Sequence, residues 1–338
     1  MIRFLENYNL QSHNTFGLKV KAKSFFEFTE LKDLDVFLNS NKSWKDEKIL
    51  LLGEGSNILF LNDFSGLIIH PNIPGVQIVK EDRQNVWIEV GAGENWDEFV
   101  KYCVEYEFGG IENLSLIPGT IGAAPVQNIG AYGQEVSMVI EKVKGFDLEK
   151  NQISELLAYE CKFAYRSSIF KSDLKNRFII SSVVFKLEKF PEYVLNYGGL
   201  EEKVKKKGEA NLQNIREAVI EIRTLKLPDV KNLGNAGSFF KNPIVEIKLA
   251  EKLQSEFKDL PVYPAKNKHA KLAAAWLIEK AGWKGFREGD VGVHENQALV
   301  LVNYKNATGK EIYKLSEEIK QSVFEKFNVE LEREVNCV

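Results

Sequence analysis

The sequence predicts an α+β fold divided into more than one domain. Three observations lead there. With 338 residues the chain has room for two or three domains, each with its own core. Apolar residues recur at helical spacing in some stretches and gather into short strand-like runs in others. The Gly-x-Gly turn at Gly53 and Gly55 follows a strand but leads into another strand rather than a helix, which argues against a doubly wound dinucleotide fold.

Composition narrows the function classes. Hydrophobic residues make up 44% and charged residues 28%, ordinary for a soluble globular chain. A formal net charge of −3 gives no general attraction for nucleic acid or a membrane surface, and the basic run Lys203 to Lys207 reads as a solvated helix face. Cys103, Cys161 and Cys337 show no CxxC spacing, which fits a reducing compartment. The four histidines lie far apart without an HxxxH pair, so no metal site is expected. No apolar run approaches the roughly 20 residues of a membrane span, and the N-terminus lacks a signal-peptide core; the expected setting is cytoplasmic.

Leu31, Leu34, Phe37 and Leu38 predict a helix after Thr29. Residues 48–52 form a short apolar strand that runs into Gly53-Glu54-Gly55-Ser56-Asn57, and residues 58–61 resume strand character. That turn either closes a hairpin or presents its N–H groups as an anion-binding nest. Residues 66–70 and 86–90 read as strands. Asn95 opens a helix reaching Glu107, with Trp96, Phe99, Val100, Cys103 and Val104 on its buried stripe. Residues 143–148 and 178–187 read as strands. Residues 193–200 and the lysine run look like a domain junction. Asn211 caps a helix to Leu225, with Leu212, Ile215, Val219 and Ile222 inward, and Pro228 stops it. Tyr263 lies in an exposed Pro-Val-Tyr-Pro loop. Residues 270–281 predict an alanine-rich helix closed by Gly282, and residues 298–302 a strand. Thr308-Gly-Lys-Glu311 is a capping box opening a helix with Ile312, Leu315, Ile319 and Val323 inward. Residues 329–335 read as a final strand whose alternation puts Glu332 and Glu334 on one face.

Three stretches carry candidate chemistry. Gly234-Asn-Ala-Gly-Ser-Phe-Phe-Lys-Asn-Pro243 puts the Ser238 hydroxyl in a small-residue turn; it either merely turns the chain or lets the backbone approach a ligand closely. Residues 116–135 are rich in glycine and small residues and almost uncharged until Glu135. Irregular backbone of that kind needs hydrogen-bonding partners, and a large planar ligand such as a flavin or nucleotide would supply them. Arg166 sits between apolar runs; drawn inside, its guanidinium needs a carboxylate, phosphate or carbonyl, whereas at the surface it would only pack its stem.

The order of motifs completes the reading. Asn14-Thr-Phe-Gly17, Gly53 to Asn57, Ile117-Pro-Gly-Thr-Ile-Gly-Ala123, Gln127-Asn-Ile-Gly-Ala-Tyr132, Tyr165-Arg166, Gly237-Ser-Phe-Phe-Lys-Asn-Pro243 and Leu331-Glu-Arg-Glu-Val335 span nearly the whole chain. Together they resemble the bacterial UDP-N-acetylenolpyruvoylglucosamine reductase (UDP-N-acetylmuramate dehydrogenase) family, long-loop type I subclass. The resemblance implies an FAD-binding module of the vanillyl-alcohol-oxidase type in two parts, residues 1–65 and 66–205, followed by an α+β substrate-binding domain over residues 206–338. It implies FAD held by Gly53, Glu54, Gly55, Ser56, Asn57, Ile117, Pro118, Gly119, Thr120, Gly122, Ala123, Gln127, Asn128, Gly130, Ala131, Tyr132 and Gly237. NADPH is implied as co-substrate and UDP-N-acetylglucosamine enolpyruvate as substrate, in peptidoglycan precursor synthesis. Hydride would go from flavin N5 to the enolpyruvyl β-carbon and a proton from Ser238 to the α-carbon. Arg166 and Glu334 would polarise the substrate carboxylate, with Glu334 protonated or paired so that like charges do not repel. Tyr165, Tyr197, Lys226, Asn242, Tyr263, Lys271 and Gln297 would line the substrate site. A monomer is expected, with no metal, nucleic acid or membrane partner. The tail after Val335 is shorter than is common in the family, which would leave Cys337 exposed to oxidation. Another FAD-dependent oxidoreductase of the same superfamily and a non-catalytic sugar-nucleotide binder are the alternatives.

Overall fold

The computed structural model describes residues 2–338, without the side chains of Lys42 and Ser43. It divides into two compact units that interleave along the chain. The first runs up to Tyr8 and takes Ala22–Glu54 and Ser65–Thr224; the second takes Asn9–Lys21, Gly55–Phe64 and Leu225–Val338.

The first unit is organised on the strand Phe178–Glu188, the long β-branched and aromatic run foreseen from sequence. It lies at the centre of a five-stranded antiparallel sheet, between Ile140–Asp147 and Asn85–Gly91, with Gln152–Leu157 and Val76–Glu81 at the edges. Both its faces are covered, so its residues read as a continuous apolar run. On one side Val183, Phe185 and Leu187 pack with Trp96, Phe99 and Val100; on the other Ile179 joins Phe26, Phe28 and Phe37. The latter belong to a smaller sheet ordered Ile2–Asn9, Lys21–Phe28, Phe64–Pro71 and Ile49–Leu51, and to helix α1 (Leu31–Ser40). Helix α2 (Trp96–Glu105) buries the expected stripe and is capped by Asn95, whose Oδ1 accepts from the N–H groups of Asp97 and Glu98. Helices α3 (Leu200–Lys207) and α4 (Leu212–Lys226) share a seam of Leu200, Val204, Ile215, Val219 and Ile222.

The second unit holds a four-stranded sheet of Gly234–Asn235, Leu301–Asn303, Val291–Val293 and Arg287–Glu288, and a three-stranded one of Ile244–Glu246, His269–Leu272 and Val262–Pro264. Three helices accompany them: α5 (Ile247–Glu256), α6 (Ala274–Lys280) and α7 (Gly309–Phe327). Helix α7 starts at the foreseen capping box, with both reciprocal bonds between Thr308 and Glu311 present.

Four sequence expectations change. Residues 269–272 form a strand rather than the start of the alanine-rich helix, because cross-strand pairing to Ile244–Glu246 and Val262–Pro264 overrides helical propensity. Tyr263 accordingly lies in a strand and is half-buried, not in an exposed loop. Residues 329–335 are not a regular strand; a single bridge joins Arg333 to Phe240. The turn at residues 53–57 closes no hairpin, since Ile49–Leu51 pairs in parallel with Phe64–Pro71 while Ile58–Leu59 pairs with Asn336–Cys337.

Candidate active site

In the second unit the Ser238 loop is held from several sides. Asn235 is buried; its Nδ2 donates to the carbonyls of Pro228 and Leu233, and its Oδ1 accepts from the N–H of Gly237 at 2.9 Å. Gly237 takes φ +66°, a conformation glycine adopts without penalty. Phe239 and Phe240 then plunge into the core, and Phe239 N–H donates to Leu299 C=O at 2.7 Å. Ser238 is thereby pinned between a left-handed turn and two buried rings, and remains half-buried itself.

The C-terminal segment is laid alongside this loop. Glu334 N–H donates to Phe239 C=O at 2.8 Å, and Lys241 N–H donates to Glu332 C=O at 2.9 Å. Asn57 Nδ2 donates to Glu334 C=O at 3.3 Å, while Asn57 C=O accepts from Asn336 N–H at 3.2 Å. Thr15 bridges the same turn to the serine loop: its N–H donates to Gly55 C=O and its C=O accepts from Asn235 N–H. At Gly55 (φ +70°) a Cβ would lie 2.0 Å from His13 O, and at Gly234 it would lie 2.3 Å from Phe16 O. Gly55 to Asn57, the serine loop and Glu334 therefore meet within this unit. Glu332, by contrast, is exposed and paired with Lys241, which separates two glutamates that alternation alone left together.

In the first unit three backbone turns converge: Gly53-Glu54, Gly91-Ala92-Gly93 and residues 117–123. A Cβ on Gly53 would lie 2.8 Å from Thr120 Oγ1, and one on Gly122 would lie 2.8 Å from Ala92 Cβ. Gly122 N–H donates to Ala92 C=O, Ile121 N–H to Glu94 C=O and Trp96 N–H to Gly119 C=O; Asn95 Nδ2 donates to Glu54 Oε1. Many polar groups of residues 116–135 thus find partners inside the protein. Asn128 is buried within it: its Nδ2 donates to Glu135 and to Ala164 C=O, and its Oδ1 accepts from Ser137 N–H. Glycine-lined close approaches, hydroxyls and little charge are the surface that a dinucleotide's phosphates and flat ring accept, and the residues present fit FAD on that ground.

Arg166 resolves in favour of the inward reading. Its Nη2 donates to Gly130 C=O at 2.6 Å and its Nη1 to Asn128 C=O at 3.4 Å, and its guanidinium lies 5.4 Å from the Tyr165 ring centroid. The residue itself adopts φ +52°. A Cβ on Gly198 would touch the Tyr132 ring at 3.6 Å, which brings the Tyr197 segment beside Tyr132. Sequence reasoning missed Arg223. It stands seven residues after Arg216 on α4, and its Nε is buried with no hydrogen-bond partner among the described residues. Burial lowers its pKa, Tyr132 and Asp97 oppose that, and Arg166 adds to it. A guanidinium cannot shed its proton in response, so this arrangement favours an anion nearby. The helical spacing to Arg216 was the available signal.

Of the remaining candidates, Tyr263 and Lys271 are directly paired across antiparallel strands and so share a face. Asn242 Oδ1 accepts from Ala274 N–H at 2.9 Å, at the start of α6. Gln297 is half-buried beside Leu299, and Lys226 is exposed at the end of α4. Cys337 is half-buried in a short strand rather than exposed; burial pushes its thiol pKa up, against the Arg333 guanidinium.

Comparisons with known proteins agree with this architecture. An FAD binding domain model matches residues 41–149, and a model of the UDP-N-acetylenolpyruvoylglucosamine reductase C-terminal domain matches residues 229–338. The UDP-N-acetylenolpyruvoylglucosamine reductase of Amoebophilus asiaticus is 48% identical over 335 residues, covering 98% of each chain. That of Flavobacterium johnsoniae is 45% identical over 335 residues, again covering 98% of each. The crystal structure of the Thermus caldophilus enzyme shares the fold, with TM-score 0.68 at 21% identity over 100% of this chain and 98% of that one. A cofactor module read from glycine turns, joined to a reductase C-terminal domain and matched along its whole length, places the chain in the UDP-N-acetylenolpyruvoylglucosamine reductase family of FAD-dependent oxidoreductases.

Proposed function

We propose that the protein uses NADPH to reduce the enolpyruvyl group of UDP-N-acetylglucosamine enolpyruvate to UDP-N-acetylmuramate, a step of peptidoglycan precursor synthesis. The observation that carries this reading is the bond from Glu334 N–H to the carbonyl of Phe239, which ties the backbone of the C-terminal segment to the residue that follows Ser238. The cofactor would rest on Gly53 to Asn57, residues 117–123 and residues 127–132, with Gly237 at its edge; when bound it supplies hydride transfer between NADPH and the enolpyruvyl β-carbon.

The chain's own groups would do the rest. Addition of hydride at the β-carbon leaves charge on the α-carbon and the carboxylate. Ser238 is a poor acid in water but becomes a competent proton donor when held against that α-carbon with water excluded. Asn235, Gly237 and the buried Phe239 hold it. Arg166 offers a planar fork suited to the substrate carboxylate, its orientation set by the carbonyls of Asn128 and Gly130. Glu334 would assist at the same carboxylate, which requires that it be protonated or balanced by a guanidinium. Tyr197, Lys226 and Asn242 would hold the diphosphate and uridine end, Tyr263 would serve as a lid, and Tyr165, Lys271 and Gln297 would line the rest of the substrate pocket. The reading takes the protein as a cytoplasmic monomer.

The test is spectroscopic. The purified protein should be yellow, bleach on addition of NADPH without oxygen, and recover its colour when the enolpyruvyl substrate is added. A protein that binds no FAD, or whose reduced flavin ignores the enolpyruvyl sugar nucleotide, would refute the proposal.

A further inference from the structure

We propose that Arg333 is a positioning residue for Glu334, anchoring the C-terminal segment to α7 so that Glu334 is held opposite Phe239, next to the serine loop. The inference rests on the role assigned above to Glu334. The segment is not a regular strand: one bridge joins Arg333 to Phe240, flanked by the bonds from Glu334 N–H to Phe239 C=O and from Lys241 N–H to Glu332 C=O, and a slip of one residue would turn every side chain to the opposite face. Glu334 would then trade places with Arg333 or Val335.

Glu332 and Arg333 each make an ion pair that opposes that slip, and the two differ in quality. Glu332 pairs with Lys241, but its side chain is 72% exposed, and exposed ion pairs contribute little. The Arg333 side chain is 17% exposed and makes three contacts on one helix. Its Nε donates to Ser316 Oγ at 2.9 Å, its guanidinium lies 4.2 Å from the Tyr313 ring centroid, and it pairs with Glu317. Ser316 is fully buried and its hydroxyl already donates to Tyr313 C=O at 2.6 Å, so its oxygen faces the arginine as a fixed acceptor. Leu331 and Val335 on either side of Arg333 are buried, whereas Glu334 is half-buried. A lysine would keep the charge but not the planar fork or the stacking. The anchor is therefore specific to arginine and acts through its neighbour's position.

The experiment is a double-mutant cycle in the FAD-loaded protein, with the two half-reactions followed separately by flavin absorbance and the affinity for UDP-N-acetylmuramate measured by calorimetry. Arg333→Ala should slow reoxidation by the enolpyruvyl substrate on the order of 10²-fold, the scale of a misplaced catalytic group, and weaken product binding. Flavin reduction by NADPH should be unchanged. In a Glu334→Gln background the same change should cost nothing further, because the group it positions is already lost. Ser316→Ala, a milder change within a folded chain, should move reoxidation in the same direction. Equal losses in both backgrounds, equal loss in both half-reactions, or no effect of Arg333→Ala and Ser316→Ala would overturn the positioning role. If Glu334→Gln alone left reoxidation untouched, the assignment of Glu334 itself would fall, and the inference with it.

Discussion

The serine loop and the arginine loop each need a left-handed turn, and the chain places it differently in the two. In the second unit the positive φ falls on Gly237, one residue before Ser238. In the first it falls on Arg166 itself, at φ +52°. A side chain in that region costs about 1–2 kcal/mol, and it persists only where its surroundings over-determine it. The carbonyls of Asn128 and Gly130 supply that determination for Arg166. The serine is thus presented by its backbone, and the arginine by the bonds of its own side chain. Removing the serine hydroxyl should leave its loop where it is; removing the arginine should release strain.

The sharpest way to break this contrast is Arg166→Gly. Activity should fall about 10²-fold or more in kcat/KM, as when a fixed donor to developing charge is lost, while the urea midpoint holds or rises. A joint collapse of stability and activity would show that Arg166 is chiefly structural. Next comes Gly234→Ala, whose Cβ would lie 2.3 Å from the backbone oxygen of Phe16. Equilibrium urea unfolding should show a loss of about 2–3 kcal/mol, the scale of overpacking against an unyielding neighbour.

Acid sensitivity should sharpen the comparison from the first unit's side. Asp97 is partly buried, which pushes its carboxyl up, but hydrogen bonds from Arg216 and from Leu116 N–H outweigh this and hold it below the usual carboxylate range. A carboxyl depressed in the folded state contributes stability that is complete above its unfolded pKa and lost as pH falls through the lower folded one. Urea midpoints measured across that acid window should fall less steeply for Asp97→Asn than for the wild type; parallel profiles would remove the pair from the account. The smallest effect belongs to Gly237→Ala. Nothing lies within 4 Å of the added methyl, so the cost should be conformational strain alone, about 1 kcal/mol by thermal unfolding.

How much of this was legible depended on what kind of signal carried it. The stripe from Trp96 to Val104, the capping box at Thr308 and the strand ending near Leu187 were written in periodicity and composition, and the molecule has them. The edge strand Val76–Glu81 was missed because both its faces are exposed and it carries no alternation. Residues 270–272 read as helix because their partners lie elsewhere in the sequence. In the candidate site, Ser238 and Arg166 stood out by their local surroundings, and the choice of Glu334 over Glu332 rested on motif resemblance alone. The long-range bonds through Asn57, Thr15 and Arg333 left no local trace, and Arg223 was marked only by its helical spacing from Arg216.

The central claim is that Ser238 acts in the second half-reaction and not the first. Stopped-flow separation of the half-reactions in the wild type and Ser238→Ala tests it most directly. Flavin reduction by NADPH should proceed at the wild-type rate in the variant, while reoxidation by the enolpyruvyl substrate should slow by at least about 10²-fold, the usual scale for a lost general acid. Equal slowing of both half-reactions, or reoxidation at the wild-type rate, would contradict it.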